Sequence, residues 1–200
     1  FGYIIVMEPS SKKWFVMRDL KRRNAKVLAC HELAKAGLEV FTPMTEMIIN
    51  VAGRKQRREV PVIQDLLFVR AVKETLDPWV RRMPNLQYRF SRGATADNPT
   101  TVRDEEMEWF VRAVGQSANP RYFMPGELTP SMYGRPVRIV GGVFDGYEGR
   151  LLSVRGLRVR RLIVEIPGII AAAVEVRPEY VQLLSAAGAP AVRQPDQQKA

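Results

Sequence analysis

The sequence predicts two folded parts, an α+β sandwich built on an antiparallel sheet and then a small all-β barrel, and three observations carry that expectation. Helical and extended patterns alternate over residues 12–115. Beyond residue 133 only short, branched runs bounded by Gly or Pro remain. Between them, residues 116–132 are rich in Pro, Gly and small polar side chains and read as an interdomain linker.

Residues 1–11 precede the first element as an N-terminal extension. Trp14, Phe15, Val16 and Met17 then form an aromatic and branched strand that runs into a charged loop at 18–23. Asn24 is a natural N-cap for a helix over 25–36, with Val27, Cys30 and Ala34 on one face and Gly37 as its stop. A strand over 38–42 ends at Pro43, residues 44–51 continue extended, and 52–58 form a basic hairpin tip. The strand expected over 60–70 contains the continuous apolar run Leu66-Leu67-Phe68-Val69, which marks burial on both faces or one exposed adhesive face. A short helix over 76–83 and a strand over 86–90 follow. The helix over 104–114 has Met107, Phe110, Val111 and Val114 as its apolar stripe, with Asp104, Glu105 and Glu106 at its positive end.

In the barrel, Val137, Ile139 and, past a turn, Val143 alternate with solvent-facing residues such as Arg138. Gly146 and Gly149 stand where the backbone needs positive φ or close approach to a neighbouring strand. Strands are expected over 150–154, 162–166 and 173–176, and the tail 185–200 reads as disordered.

A net charge of +10 and a pI near 10.1 favour a polyanionic partner or a negatively charged protein surface. Arg54, Lys55, Arg57 and Arg58 are dense enough to contact phosphates, and Arg155, Arg158, Arg160 and Arg161 form a second cluster suited to RNA or protein. Cys30 is the only cysteine, so no intramolecular disulfide forms, and a reducing cytoplasm fits. The apolar run 3–7 is too short for a signal segment or a membrane span, so no membrane partner is expected. One His and one Cys cannot supply a zinc site, so Cys30 is assigned to the core and His31 to the helix surface. No metal, cofactor or catalytic residue is expected, because no phosphate loop, nucleophile set or ligand spacing occurs.

The stretch VRIVGGVFDGYEG at 137–149 resembles the KOW motif of SH3-like barrels, with Gly142, Phe144, Gly146 and Gly149 on its positions. Trp14-Phe15-Val16, the helix from Ala25, Phe41-Thr42-Pro43, the basic turn 53–58 and residues 61–69 fall in the order of an NGN domain. Over residues 12–184 the chain therefore resembles the NusG family of transcription elongation and antitermination factors, with an NGN domain at 12–115 and a KOW domain at 133–184. The run Ile63-Gln64-Asp65-Leu66-Leu67-Phe68-Val69 departs from the Phe-Pro-Gly-Tyr type of the housekeeping member. With residues 102–107 and 159–184, it is closer to the UpxY-like specialised paralogues, antiterminators of long polysaccharide-synthesis operons.

The resemblance implies a non-enzymatic, cytoplasmic bacterial factor that docks on the clamp helices of the largest RNA polymerase subunit and suppresses pausing or termination. Its docking residues would be Ile63, Leu66, Phe68 and, more loosely, Tyr88. The hairpin cations would lie near non-template DNA or nascent RNA, and the KOW domain would meet Rho or a small-subunit ribosomal protein. Arg18 stands near a position where some relatives carry an aromatic contact, so part of the interface differs. The alternative is a KOW-containing RNA-binding or ribosome-associated module that binds RNA directly through the arginines at 155–161.

Overall fold

The computed structural model describes residues 11–22, 25–51, 53–156 and 159–184; the expected N-cap Asn24, Arg158, the tail 185–200 and nearly all of the N-terminal extension lie outside them. The chain forms two compact units, Phe1–Asp104 and Glu105–Ala200.

The first unit is organised around β1 (Lys13–Asp19), whose branched and aromatic residues are buried on both sides of the strand. After α1 (Ala29–Lys35) come β2 (Glu39–Phe41), the pair β3 (Met44–Val51) and β4 (Arg54–Pro61), β5 (Leu67–Ala71), α2 (Lys73–Arg82), β6 (Leu86–Tyr88) and β7 (Thr101–Val102). The main sheet runs β2-β5-β1-β6 with β7 also paired to β1, every pairing antiparallel, while β3 and β4 form a separate two-stranded ribbon. One sheet face carries Phe15, Met17, Leu67 and Val69 and is covered by Leu28, Cys30, Leu33 and Leu76 from α1, its approach and α2. The alternate residues Trp14, Val16, Leu66 and Phe68 are buried too, so the apolar run at 66–69 is a strand buried on both faces.

Two expectations change here. The strand expected over 60–70 is two strands, because the chain turns between β4 and β5 while Thr42 Oγ1 donates to Leu66 O at 2.8 Å and Val62 N–H to Pro43 O at 2.8 Å. The helix expected over 25–36 begins only at Ala29, whose N–H donates to the distant Asp19 Oδ2 at 2.7 Å. Ala29, Cys30 and Leu33 pack into the core against the sheet, while Val27, before the helix starts, and Ala34 are exposed.

The second unit takes up α3 (Asp104–Gln116) almost from its first residue and continues through β8 (Arg121–Phe123), β9 (Tyr133–Ile139), β10 (Glu148–Leu152), β11 (Arg161–Ile166), β12 (Ile170–Glu175) and β13 (Val181–Leu183). These strands form one antiparallel sheet in the order β13-β9-β10-β11-β12-β8. The division thus falls after Asp104 rather than after Gly115, and the stretch read as a linker is built into the β unit. The reasons are local contacts: Trp109 of α3 packs on Tyr147 with ring centroids 5.2 Å apart, and β8 pairs with β12. Leu128 and Met132 pack against Phe123, Leu152 and Ile163. The inward residues of α3 are Met107, Phe110, Ala113 and Val114, with Ala113 where Val111 was expected.

Gly146 and Gly149 have different physical reasons. Gly146 has φ +78° and open space around a built Cβ, whereas a Cβ on Gly149 would lie 2.8 Å from Tyr147 Cε1 and 3.2 Å from Leu162 Cδ1. We expect Gly149→Ala to cost about 1–3 kcal/mol through overpacking, and Gly146→Ala about 1–2 kcal/mol through backbone strain alone. In Tyr147→Leu, which vacates the crowding ring, the Gly149→Ala penalty should shrink while that of Gly146→Ala stays. Thermal unfolding of the two double variants checks this, and equal penalties in both backgrounds would refute it.

Candidate functional site

The basic residues of the first unit lie along a strand. In the β3–β4 ribbon Val51 is opposite Arg54, Asn50 opposite Lys55, Ile48 opposite Arg57 and Met47 opposite Arg58. Directly opposed residues of an antiparallel pair share a face. Arg54 and Arg58 therefore lie on one side of the ribbon and Lys55 and Arg57 on the other, spread over about 13 Å at ~3.3 Å per residue rather than gathered at a tip. Arg54, Lys55 and Arg57 are exposed and Arg58 partly so. Arg57 meets Glu46 at 3.6 Å with both side chains mostly in solvent, a pairing too weak to withdraw it from a phosphate.

The four expected docking residues do not form one surface. Val16 is opposite Phe68 and Met17 opposite Tyr88, so Phe68 and Tyr88 point to opposite faces of the sheet. Leu66 and Phe68 are 2% and 0% exposed and belong to the interior in this conformation, where Phe68 meets Phe41 with centroids 6.2 Å apart. Ile63, in the turn before β5, and Tyr88 on β6 are partly exposed.

Tyr88 belongs to a polar and aromatic cluster at the sheet edge. Its hydroxyl donates to Asp77 Oδ1 at 2.8 Å, and Lys73 Nζ reaches Asp77 Oδ2 at 3.0 Å and lies 5.6 Å from the Tyr88 ring centroid. Burial and then the bond to Asp77 push the Tyr88 phenol far above its ordinary range. For Asp77, burial alone would raise the carboxyl, but the Tyr88 hydroxyl and Lys73 outweigh it and leave it below the usual value. Tyr88 also packs edge-on against Phe15 at 5.6 Å and Phe90 at 6.4 Å, and Phe90 is 44% exposed.

Beside this cluster a cavity of about 650 Å³ is walled by Val80, Tyr88 and Phe90 on the apolar side and by Arg18, Asp65 and Arg89 on the other. Arg18 sends Nε and Nη2 to Asp65 Oδ2 at 3.2 and 3.1 Å, and Arg89 Nη2 lies 3.7 Å from the same oxygen. Sequence reasoning noticed Arg18 but missed Asp65, Arg89 and Phe90. No local pattern couples residues on β1, in the turn before β5 and after β6.

In the second unit Gly142, Val143 and Phe144 form a 3-10 turn that buries Phe144 and leaves Val143 53% exposed, so Val143 does not continue the strand. A Cβ on Gly142 would lie 3.0 Å from the Tyr180 ring, which covers the turn. Burial pushes the Tyr147 phenol up to about 12, and burial together with the bond its hydroxyl donates to Glu165 does the same for Tyr133. The second basic cluster loses a member, since Arg161 is 6% exposed and holds Asn119 O, Ala173 O and Glu175; Arg155 and Arg160 are exposed.

Cys30 is buried, and burial followed by the nearby Asp19 charge raises its thiol; His31 is exposed. Among the described residues no group of three His, Cys, Asp or Glu could hold a metal ion, and no helix is long and apolar enough to cross a membrane.

A solved structure of Thermotoga maritima NusG, described as "Domain interaction in Thermotoga maritima NusG", aligns over 88% of this chain and 98% of that chain, with a TM-score of 0.46 and 21% identity. The transcription termination/antitermination protein NusG of Pasteurella multocida (strain Pm70) is 25% identical over 158 residues, covering 72% of this chain and 80% of that protein. The family model described as "Transcription termination factor nusG" matches residues 12–111. With half of its length matched by that model, including every strand of the first unit, the chain belongs to the NusG family of transcription termination and antitermination factors.

Proposed function

We propose that this protein binds bacterial RNA polymerase through its first unit and suppresses pausing or termination, without making or breaking a covalent bond. The observation that carries this reading is the edge cavity of the first unit, where Phe90 and Tyr88 present partly exposed rings beside paired arginines within the stretch that defines the family. Aromatic and arginine side chains in a concavity are the residue types that anchor protein interfaces. Tyr88 and Phe90 are its accessible apolar contacts, and Ile63, partly exposed in the turn before β5 and outside the cavity lining, is a further one; Leu66 and Phe68 hold the strand behind them. The ribbon cations Arg54, Lys55, Arg57 and Arg58 add a salt-sensitive contact to non-template DNA or nascent RNA. The second unit presents its Gly142–Phe144 turn to a further partner such as Rho or a small-subunit ribosomal protein. The Ile63–Val69 sequence supports a specialised role on long polysaccharide-synthesis operons.

The test is binding of the full chain to purified bacterial core RNA polymerase, with Phe90→Ala as the variant because its ring is half in solvent and its loss spares the core. We expect wild-type binding and about a tenfold weakening in the variant, the effect of losing one aromatic anchor. Replacing Arg54, Lys55, Arg57 and Arg58 by Gln should flatten the salt dependence measured on a complete elongation complex. Absence of wild-type binding, or full binding by Phe90→Ala, would count against this surface.

A further inference from the structure

The cavity wall of Arg18, Asp65 and Arg89 is more than a structural ion pair. Two N–H groups of Arg18, Nε and Nη2, donate to the single oxygen Oδ2 of Asp65, and Arg89 Nη2 lies 3.7 Å from the same oxygen as an ion pair. Each guanidinium carries five donors, so one carboxylate oxygen engages only part of each fork. The lining charges, two arginines against one aspartate, sum to +1 beside the apolar surfaces of Val80, Tyr88 and Phe90. The Arg18 and Asp65 side chains are 42% and 34% exposed, so their partnership is open to exchange with an incoming group.

We infer that this wall is a carboxylate-selective element of the docking site: the occupant is an apolar segment of the polymerase carrying an acidic side chain that enters between Arg18 and Arg89 and competes with Asp65 for them. Planar, bidentate pairing with carboxylates is what guanidinium forks do best, and the adjoining apolar walls lower the local dielectric and strengthen that pairing. Asp65 acts in the free protein as an internal stand-in for the partner's carboxylate, holding both forks aimed at the cavity. A partner with a basic residue at the same place would meet two like charges, so the wall rejects it as well as selecting the acidic one. This inference rests on the polymerase-docking reading and names the chemistry of the partner at that site.

The experiment measures affinity for purified bacterial core RNA polymerase across a range of salt, for the full chain and for Arg18→Gln, Arg89→Gln and Asp65→Asn. Each arginine variant should bind about tenfold more weakly with a flatter salt dependence, while Asp65→Asn, which releases both forks, should bind several-fold more tightly with a steeper one. Circular dichroism and the Trp14 and Trp79 emission of each variant, read in copies with Trp109 replaced by Phe, report whether the first unit stays folded. If an arginine variant is misfolded, the gain expected for Asp65→Asn decides alone. Wild-type binding with affinities and salt slopes unchanged in all folded variants overturns the inference and leaves the polymerase reading standing. Failure of the wild type to bind overturns both. A parallel titration with a fluorescent single-stranded oligonucleotide completes the test: loss of that binding in the arginine variants, with polymerase binding intact, would assign the wall to nucleic acid and overturn the inference.

Discussion

Asp19→Ala should destabilise the first unit by about 3 kcal/mol, the scale of removing a buried carboxylate that accepts several hydrogen bonds. Asp19 ends β1 with its side chain 7% exposed. Oδ1 accepts from Lys21 N–H at 3.1 Å and Asn85 Nδ2 at 2.8 Å, while Oδ2 accepts from Ala29 N–H at 2.7 Å. One carboxylate therefore ties the end of β1 to the start of α1 and to the residue just before β6. α1 has seven residues and its own N-cap position, Leu28, offers no side-chain acceptor. A helix that short does not stand alone in water, and its first N–H groups need an acceptor from elsewhere. Alanine leaves the Ala29 amide and the Asn85 amide without their partner and loosens α1, whose Cys30 and Leu33 cover one face of the sheet. Asp19→Asn keeps one carbonyl acceptor and should lose roughly half as much. Urea titration followed by tryptophan emission, with Trp109 of the second unit replaced by Phe, reads the first unit through Trp14 and Trp79. A loss under about 0.5 kcal/mol, the level of an ordinary surface substitution, would show that the three bonds contribute little.

The same residue shows where sequence reasoning stops. Asn24 looked like the cap because capping signals are sought within a few residues of the helix, yet the acceptor that starts α1 stands ten positions before Ala29 and meets it only because β1 ends there. What depends on neighbours in sequence was legible: α3 begins at the expected Asp104, the strands expected over 150–154, 162–166 and 173–176 are present with shifted ends while β8 and β13 were not foreseen, and Gly146 has its left-handed turn. What depends on pairing was not. Leu66, Phe68 and Tyr88 looked like members of one patch, but the registers of β5 and β6 against β1 put Phe68 and Tyr88 on opposite faces. Arg161 looked like the fourth member of a basic run, and only the pairing of β11 with β12 reveals it as interior. In the candidate site, Arg18 was visible as a departure from an aromatic position; its meaning required Asp65 and Arg89, which chain folding brings to it.

Arg161→Ala should cost the second unit about 2–3 kcal/mol and, more distinctively, release residues 117–123 from the sheet. Arg161 stands directly opposite Glu175, and its Nη2 donates to Glu175 Oε1 at 2.7 Å. Its Nη1 donates to Asn119 O at 2.6 Å and to Ala173 O at 3.3 Å, so one guanidinium clamps the chain entering β8 onto β12. Removing one partner of a buried pair can cost about 3–5 kcal/mol, but the Glu175 side chain is 38% exposed and water can take over part of the loss. The carbonyls of Asn119 and Ala173 lose a charged donor in addition. β8 itself is held by only three residue pairs, Phe123 with Ala171, Tyr122 with Ala172 and Arg121 with Ala173. So short an edge strand depends on what anchors its ends, and without it β12 presents an unpaired edge. Arg161→Met separates the two roles, because a similar volume restores most of the packing and none of the clamp. Amide exchange at 121–123 should therefore accelerate by at least tenfold in both variants, with faster tryptic cleavage after Arg121, while both lose thermal stability and the alanine variant loses more. Slow exchange in Arg161→Met would mean that β8 is held by its ladder alone, and the arginine would then be a buried charge retained for the strand pair β11–β12.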